Sequence, residues 1–535
     1  MRRISIPATL REGARTTNTL AKRKYLVIYL FIMLIGAQPS ILFFWLYWQF
    51  MEGFSIYFFL FLPVCFILMI FILIITSALV AKFFLLLTRL FHKPQEGVFN
   101  REPTNKDYRY WSLRAVIKKW PCWLARQLSI APLEVLILKI FGVKIDKRAS
   151  LHEGWVDTEF IEIGKNCRLG QGSLIMSSIV THDRLIIKKI SIKDNVTIGA
   201  HSVIFPGTII ESNTILDSNS TTKVNQLLET NSIYRGSPAT KVLNNAKMED
   251  QTKLEQIIFN TSTETQIEEL EFREEAKELS IPFELYIISG WIIMGFSFII
   301  PGFLFFIYFF GILEPFLFSL KFTIQFFYNL YNILILISIP LTFISLYLIH
   351  LFLVALFTRW FFRYSQKRGP KEGVYDRNLN EESKALDHYH FKSFLYKYPI
   401  FAFLRSPFPW LITWELRFIG GNKVGKKTVI EESFLHCLLN FGRKCYLGTY
   451  THLSNHVVDG VYGTENLTYF GVNLGDNVVF EALTGAMPGT QVGNNSTILP
   501  ISASIKHDEL IGEGIYSGFP IKRLKPDKKK DILGS

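Results

Sequence analysis

The sequence predicts an internally duplicated chain that combines α-helical transmembrane hairpins with all-β domains built as coils of parallel strands. Long apolar runs occur in two pairs, aliphatic residues recur at every sixth position, and short motifs of the first half recur in the second. The apolar runs predict the hairpins, the period of six predicts the coils, and the recurring motifs indicate the duplication.

The composition indicates a membrane protein. Of the 535 residues 49% are hydrophobic, 15% are aromatic and only 19% are charged, and the mean hydropathy is +0.24. Soluble domains average about 25% charged residues, so an ordinary soluble enzyme and a disordered chain both fit poorly. The net charge of +13 suits an anionic membrane surface, an acidic ligand or nucleic acid. The five Cys form no CxxC pair, which argues against a disulfide framework and a cysteine zinc site.

Four apolar runs are long enough to cross a bilayer, since each reaches the ~20 residues that a spanning helix needs. The runs are residues 25–48, 54–91, 285–311 and 331–362. The first two form a hairpin that, with the basic N-terminus, occupies residues 1–92, and the last two form a hairpin within residues 283–363. Basic residues are concentrated before the first run and are scarce inside each hairpin. The positive-inside rule therefore predicts an integral membrane protein whose termini and soluble domains face the cytoplasm.

A stretch rich in aromatic and basic residues follows each hairpin, at residues 93–150 and 364–425. Because these stretches adjoin membrane helices, we expect amphipathic interfacial helices with Trp and Tyr at headgroup depth and basic side chains directed toward lipid phosphate. Membrane lipid is therefore an expected partner, and nucleic acid is not.

Recurring motifs indicate that the two halves are copies of one unit. A Glu-Gly-Val-aromatic motif at 96–99 recurs at 372–375, a seven-residue motif at 164–170 recurs at 442–448, and a Tyr-x-Gly-x-Pro motif at 234–238 recurs at 516–520. The offsets lie between 276 and 282 residues. Residues 246–282, rich in Glu, Lys and Gln, predict a charged helical linker between the units.

A period of six residues marks the two soluble domains, at 151–245 and 426–535. In the first domain the aliphatic positions are Ile163, Leu169, Ile175, Ile192, Ile198, Ile204 and Ile210. In the second domain the corresponding positions are Leu447, Leu474, Phe480, Ala486 and Val492. A coil of three short parallel strands per turn explains this period, because each edge of the coil places one such side chain inside.

At these residues the chain resembles the hexapeptide-repeat acyltransferase superfamily, whose domains are left-handed parallel β-helices. The recurring Tyr-x-Gly-x-Pro segments look like the closing segment of that family, which lies near the acyl-donor channel. The resemblance implies donor-binding roles for Arg235, Gly236, Pro238, Lys241, Gly518, Pro520 and Lys522. More narrowly, the alternation of membrane pairs and tandem domains is similar to the C-terminal region of ε-poly-L-lysine synthetase-type nonribosomal peptide synthetases. This chain departs from that family because it has no adenylation or carrier domain and two units where the family has three.

The period of six breaks between Ile175 and Ile192 and between Leu453 and Leu474, which predicts that a loop leaves each coil there. His182 and Asp183 lie in the first loop region, and His456 and Asp459 lie in the second. The resemblance implies that a loop histidine is the general base and that a carboxylate orients its ring, and the ordinary pKa of imidazole suits this role. His201, at a regular repeat position, is a secondary candidate. Surface and structural roles stay open for all three histidines.

The resemblance implies a membrane-bound acyltransferase that moves an acyl or aminoacyl group from a thioester to an amine or hydroxyl. The thioester donor is acyl-CoA or an acyl or aminoacyl carrier protein, and no bound cofactor is expected. A zinc site like that of the hexapeptide carbonic anhydrases needs a third histidine that is not apparent, so no metal is expected. The two coils either pair within one chain or meet other chains in a homo-oligomer. The alternative function is a non-catalytic membrane scaffold that mediates assembly.

Overall fold

The structure, a computed structural model, describes residues 14–128, 130–151, 154–244, 283–376, 383–458 and 466–533. The expected linker at 246–282 lies outside these residues, as does Asp459. The helices are α1 (Tyr25–Phe50), α2 (Ile56–Phe91), α3 (Lys106–Leu128), α4 (Ala131–Phe141), α5 (Glu284–Phe318), α6 (Leu330–Gln366), α7 (Ser383–Leu404), α8 (Ile412–Ile419) and α9 (Pro526–Leu533). Short 3-10 turns occur at Ile324–Tyr328 and Pro409–Leu411.

Four of these helices, α1, α2, α5 and α6, are long and apolar enough to span a membrane. They form the two expected hairpins, in which α1 packs on α2 and α5 packs on α6. Helix α5 contains π-helical segments at Trp291–Phe296 and Phe309–Phe318. The hairpins meet through aromatic side chains, since the ring of Trp48 lies 4.9 Å from that of Phe318 and the ring of Trp45 lies 4.5 Å from that of Phe326.

The first half contains a parallel coil, which we call coil 1. The strands in this half of the chain are β1 (Ala14–Arg15), β2 (Gly97–Asn100), β3 (Lys144–Ile145), β4 (Trp155–Asp157), β5 (Ile161–Ile163), β6 (Arg168–Leu169), β7 (Leu174–Ile175), β8 (Ser178–Val180), β9 (Arg184–Ile187), β10 (Ile190–Ile192), β11 (Thr197–Ile198), β12 (Val203–Ile204), β13 (Ile209–Ile210), β14 (Ile215–Leu216), β15 (Leu227–Leu228), β16 (Ser232–Arg235) and β17 (Thr240–Asn244). The three sheets of the coil run in the orders β1-β4-β7-β12, β3-β5-β10-β13-β15 and β6-β11-β14-β16-β17, and only β17 is antiparallel to its neighbour.

The second half contains coil 2. Its strands are β18 (Gly373–Asp376), β19 (Lys423–Val424), β20 (Val429–Ile430), β21 (Phe434–Leu435), β22 (Leu439–Phe441), β23 (Tyr446–Leu447), β24 (His452–Leu453), β25 (His456–Val458), β26 (Asn466–Tyr469), β27 (Val472–Leu474), β28 (Val479–Phe480), β29 (Gly485–Ala486), β30 (Gln491–Val492), β31 (Thr497–Ile498), β32 (Glu509–Leu510), β33 (Ile515–Ser517) and β34 (Lys522–Arg523). Its sheets run β19-β22-β27-β30-β32, β20-β23-β28-β31-β33-β34 and β21-β24-β29.

The repeat of six accounts for the shape of both coils. Thr197 pairs with Ile215, and Val479 pairs with Thr497, so one turn contains 18 residues, or three repeats. Each residue that we placed at an aliphatic repeat position is at most 5% exposed. The period of six therefore predicted the inside of each coil correctly.

The break in the period is an antiparallel β-hairpin that leaves each coil at the corresponding position, β8–β9 in coil 1 and β25–β26 in coil 2. The strand that follows each helical hairpin adds a third strand to this β-hairpin, since β2 pairs with β9 and β18 pairs with β26. The recurring Glu-Gly-Val motif forms this third strand. Its glutamates fix the register, because Glu96 accepts a 2.9 Å hydrogen bond from the backbone of Lys189 and Glu372 accepts one of 2.7 Å from Gly471.

Helix α3 differs from the expected interfacial helix, because its basic residues face the protein. Arg114, Lys118 and Lys119 are 3%, 2% and 6% exposed. The first two form ion pairs with Glu159 of coil 1, and Lys119 donates hydrogen bonds to the carbonyl of Thr16 and the side chain of Asn18. The expectation that these side chains are directed toward lipid phosphate is therefore wrong, since the partly buried Glu159 attracts the first two and polar groups of the N-terminal segment bind the third.

The two coils pack against each other within the chain. Trp155 of coil 1 lies edge-on to Tyr450 of coil 2, with 6.1 Å between ring centroids. The guanidinium of Arg126 lies 4.7 Å from the Trp155 ring and forms a 3.0 Å ion pair with Glu432 of coil 2. Leu174, Met176, Val203 and Phe205 share a buried cluster with Ala482, Leu499 and Ile515. This packing places the β8–β9 hairpin of coil 1 against coil 2.

Candidate active site between the two coils

The turn of the β8–β9 hairpin holds the first candidate histidine. Thr181 and Arg184 close the turn, since the Thr181 amide donates to the Arg184 carbonyl at 2.8 Å and the Arg184 amide donates to the Thr181 hydroxyl at 3.0 Å. The Thr181 hydroxyl donates to Asp183 at 2.9 Å. This local network fixes the carboxylate and places His182 at the apex, as Thr and Asp commonly do in turns.

Coil 2 holds His182 from the other side. Its backbone N–H donates a 3.0 Å hydrogen bond to Oγ1 of Thr497 on β31, and its ring Nδ1 lies 3.1 Å from the same oxygen. Two residues earlier, the Val180 amide donates to Glu481 of coil 2 at 3.0 Å. The other ring nitrogen of His182, Nε2, lies 3.7 Å from a carboxylate oxygen of Asp183. This distance is longer than a hydrogen bond.

The surroundings keep the imidazole neutral. Burial lowers the pKa of His182; the carboxylate of Asp183 opposes this effect, and the cations Lys529, Arg101 and Arg184 add to it. Burial alone would raise the pKa of Asp183, but the Thr181 hydroxyl, His182 and Arg184 outweigh it and lower the pKa. The site therefore holds a neutral imidazole beside an ionised carboxylate at neutral pH, and a neutral imidazole can accept a proton.

Helix α9 brings positive charge to this site. It docks on coil 1, where Asp531 forms a 2.6 Å ion pair with Lys223 and the carbonyl of Ile532 accepts a 2.9 Å hydrogen bond from the Val224 amide. Docking places Lys529 close enough to affect the pKa of His182. Sequence reasoning missed both Lys529 and Thr497, because they lie more than 300 residues from His182 along the chain and no local pattern marks them.

The second hairpin differs from the first, because His456 faces helix α7 instead of the other coil. Its ring lies 5.0 Å from the ring of Tyr389 on α7 and 4.8 Å from that of His436, and its Nδ1 is 2.7 Å from the side-chain oxygen of Asn455. His452 lies near the same cluster, 5.8 Å from His436. Burial, with His456 and His452 adding to it, lowers the pKa of His436 well below its usual range. Sequence reasoning found His456 but missed the other two, which only the turns of the coil bring together.

His201 lies at a corner of coil 1. Its φ of 55° is in the left-handed region, and its ring covers Gly172, where a Cβ would overlap the ring. His507 covers Gly489 of coil 2 in the same way. Within the described residues, no hydrogen bond or ion pair joins His201 to His182, so the structure does not bring these two candidates together.

The predicted donor-binding segments close the ends of the coils as antiparallel hairpins, β16–β17 and β33–β34. In both, a glycine with positive φ donates its N–H to a serine of the preceding turn, from Gly236 to Ser220 at 3.1 Å and from Gly518 to Ser502 at 3.0 Å. A cis proline, Pro238 or Pro520, follows two residues later.

The basic residues of these closing segments differ in their partners. In the first segment Arg235 forms an ion pair with Asp217, and Lys241 forms one with Glu229. In the second, Lys522 pairs through its backbone with Ser517. No described contact joins these residues to His182, but the second segment continues directly into α9 and Lys529.

The described residues contain no group of three or more His, Cys, Asp or Glu arranged to hold a metal ion. The histidines at 436, 452 and 456 are thus neighbours without the geometry of a metal site.

Comparisons with known proteins identify the repeat. Residues 189–221 match the family model for the hexapeptide repeat of succinyl-transferase. A search of curated proteins finds no match.

Among solved structures, the chain is similar to an N-acyltransferase from Bacillus cereus in complex with coenzyme A and dTDP-4-amino-4,6-dideoxyglucose. The identity is 22% over 19% of this chain and 60% of that one, with a TM-score of 0.15. It is also similar to a hexapeptide-repeat acetyltransferase from Vibrio cholerae complexed with acetyl coenzyme A, at 16% identity over 20% of this chain and 61% of that one, with a TM-score of 0.19. A maltose O-acetyltransferase from Clostridium difficile matches at 18% identity over 20% of this chain and 60% of that one, with a TM-score of 0.19. The chain thus covers less than two thirds of the length of each of these proteins.

Proposed function

We propose that this chain is a membrane-bound acyltransferase that transfers an acyl or aminoacyl group from a thioester to an amine or hydroxyl, with His182 as general base. The observation that carries the proposal is the placement of His182. It lies at the apex of a hairpin that leaves a hexapeptide coil, and a second coil fixes its Nδ1 through Thr497. Its Nε2 is left as the proton acceptor.

The reaction follows from this geometry. Nε2 removes the proton of the acceptor amine or hydroxyl as that nitrogen or oxygen attacks the thioester carbonyl carbon. The bond from carbon to sulfur then breaks, and the leaving thiolate takes the proton from the imidazolium. Asp183, whose carboxylate is ionised, stabilises the imidazolium between these steps.

The cations around His182 suggest the kind of donor. Lys529, Arg101 and Arg184 all act on the pKa of His182, so a donor that carries phosphate groups is attracted to the surroundings of His182. Acyl-CoA and the phosphopantetheine of a carrier protein share this chemistry. We further propose that the closing segment at Gly518 and Pro520 guides the donor, because it leads into α9 and Lys529.

The proposal includes the membrane arrangement. The four apolar helices span the bilayer, and the basic flanks place both coils and both termini in the cytoplasm. The matching order of hairpin, third strand and coil in the two halves supports an internal duplication and a tandem pair of left-handed coils, as in the ε-poly-L-lysine synthetase-type enzymes. Since the two coils already pair within one chain, the contact of His182 with coil 2 forms without a second copy, and oligomerisation is not needed for it.

Acyl transfer assays test the proposal. The purified protein in detergent is given labelled acyl-CoA or acyl-phosphopantetheine with a panel of amines and hydroxyl compounds, and thiol release and label transfer are followed. His182→Gln should lower the rate about 100-fold or more, the usual loss of a general base. The matched control is His507→Gln, which changes an exposed corner histidine of coil 2 and should leave the rate unchanged. If the wild type neither binds nor consumes a thioester, the chain is a scaffold, and equal rates for His182→Gln and wild type would exclude His182 as the base.

A further inference from the structure

A second feature, apart from the site at His182, is a cavity where the end of helix α2 meets helix α4 and coil 1. Its volume is about 290 Å³, and residues of all three elements line it. The proposed acyl transfer uses none of its side chains, so the cavity needs its own explanation.

The cavity has a large excess of positive charge. Its lining contains six cations and two carboxylates, a net charge of +4: Lys82, Arg89, Arg114, Lys118, Lys144 and Lys189 against Glu159 and Glu162. The two carboxylates do not neutralise it, because each is shared by two cations. Glu162 lies 2.8 Å from both Lys144 and Lys189, and Glu159 is shared in the same way by the two basic residues of α3.

Within the part of the chain that the structure describes, neither cation of α2 forms an ion pair with a carboxylate. Lys82 donates a hydrogen bond to the carbonyl of Ile140 at the end of α4, at 2.7 Å. Arg89 is exposed, and its guanidinium makes no hydrogen bond or ion pair with any described residue. Two like charges that face one cavity without a counter-charge favour an anion there, and an arginine in particular favours phosphate or carboxylate.

The depth of these cations points to the membrane surface. Helix α2 begins at Ile56, so at 1.5 Å per residue Lys82 lies ~39 Å along the helix. Hydrocarbon accounts for ~30 Å of that length and headgroups begin beyond it. Arg89 lies further along the helix, at ~50 Å, but exposed apolar side chains continue beside it at Leu86, Leu90 and Phe91. These last turns of α2 therefore run along the membrane surface, and Leu85 and Leu86 line the cavity between Lys82 and Arg89.

We propose that this cavity binds the phosphate group of an anionic lipid, with Lys82 and Arg89 as its main ligands and with Leu85 and Leu86 against the start of the acyl chains. The inference rests on the proposed membrane arrangement but not on acyl transfer, so it holds for a scaffold equally well. The competing source of the same chemistry is a soluble phosphate, which has no acyl chain to bury against the leucines.

Lipid retention tests the proposal. The full chain is placed in nanodiscs of phosphatidylcholine with or without phosphatidic acid, and bound lipid is measured by native mass spectrometry together with the unfolding temperature. We expect phosphatidic acid to be retained by the wild type and to raise its unfolding temperature. The double variant Lys82→Gln with Arg89→Gln should retain at least about tenfold less, since it loses two charge-assisted contacts.

A control variant and two soluble phosphate compounds distinguish the possible outcomes. Arg363→Gln changes an exposed basic residue in the last turn of α6 and should retain phosphatidic acid like the wild type. Inorganic phosphate and coenzyme A should not raise the unfolding temperature as phosphatidic acid does, and an equal effect of either would assign the cavity to a soluble phosphate. Equal retention by the double variant and the wild type, or no preference for phosphatidic acid, would overturn the proposal. If the double variant does not fold, the measurement is repeated with Arg89→Gln alone, because Arg89 is exposed.

Discussion

Replacing Glu159 with Gln should destabilise the chain strongly, because it leaves two buried cations without a counter-charge. Arg114 and Lys118 lie 2.7 Å from the Glu159 carboxylate and are 3% and 2% exposed on their side chains. Burial alone would raise the pKa of Glu159, but these cations outweigh it and lower the pKa from 4.5 to about 2. A shift of roughly 2.5 units at 1.36 kcal/mol per unit corresponds to about 3 kcal/mol, close to the ~3–5 kcal/mol measured when one partner of a buried ion pair is removed.

The sign of the pH dependence follows from the lowered pKa. A carboxyl whose folded pKa lies below its unfolded pKa contributes its stability fully above pH ~4.5 and loses it as the pH falls toward ~2. Urea unfolding of the detergent-solubilised protein at pH 7 and at lower pH measures both effects. Wild type and Glu159→Gln should differ by about 3 kcal/mol at pH 7 and converge on acidification.

Glu162→Gln is the matched control. Glu162 also contacts two lysines, but their side chains are 78% and 43% exposed, and exposed ion pairs are worth only about 0–1 kcal/mol. Equal losses in the two variants, or a Glu159→Gln loss that does not shrink on acidification, would refute the reasoning.

Three further predictions follow from other sites. The rate of acyl transfer should fall on acidification only below pH 6.5, because burial lowers the pKa of His182 from 6.5 and the base must be neutral; a falling limb above pH 7 in the pH–rate profile would contradict this. Burial raises the pKa of Glu134 to about 7, partly opposed by Arg126, so the folded state loses stability as the pH rises from ~4.5 through 7. Glu134→Gln should therefore gain up to about 3 kcal/mol relative to wild type between pH 5 and pH 8, and an identical difference in urea unfolding at both pH values would count against it. Trp155→Ala should lose ~3–5 kcal/mol in urea unfolding, because Trp155 packs between Arg126 and Tyr450 at the contact of the coils; a loss below ~1 kcal/mol would mean that this contact does not stabilise the fold.

Periodic features of the sequence predicted the fold well. The apolar runs gave the four long helices, and the period of six gave the buried positions of both coils, from Ile163 to Val492. These predictions succeed because the physical cause is local, since each apolar side chain contributes to a repeating pattern.

Contacts between distant elements were not predictable in the same way. Arg114 and Lys118 are four residues apart on one face of α3, and this spacing suits a lipid surface and a buried carboxylate equally well. Only the fold shows that Glu159 faces them. Thr497 likewise contacts His182 across 315 residues of sequence, which no spacing rule predicts.

The two hairpin histidines show how far the recurring motifs can be used for prediction. The sequence placed His182 and His456 in corresponding loops, and the structure has corresponding hairpins. Their surroundings nevertheless differ, because the first hairpin meets coil 2 while the second meets helix α7. The two coils do not have symmetric contacts, so the histidines of corresponding hairpins acquire different surroundings.

Binding of the donor at His182, between the coils, is the central claim, and a structure of the protein with a bound donor tests it most directly. Electron cryo-microscopy of the full chain with a thioether analogue of acyl-CoA, which cannot transfer its acyl group, would locate the reactive carbon. We predict that this carbon lies between the coils, with room for an acceptor atom between it and Nε2 of His182, and that the phosphates lie toward Lys529. Binding at the His436 and His456 cluster, or at any place remote from the β8–β9 hairpin, would contradict the account.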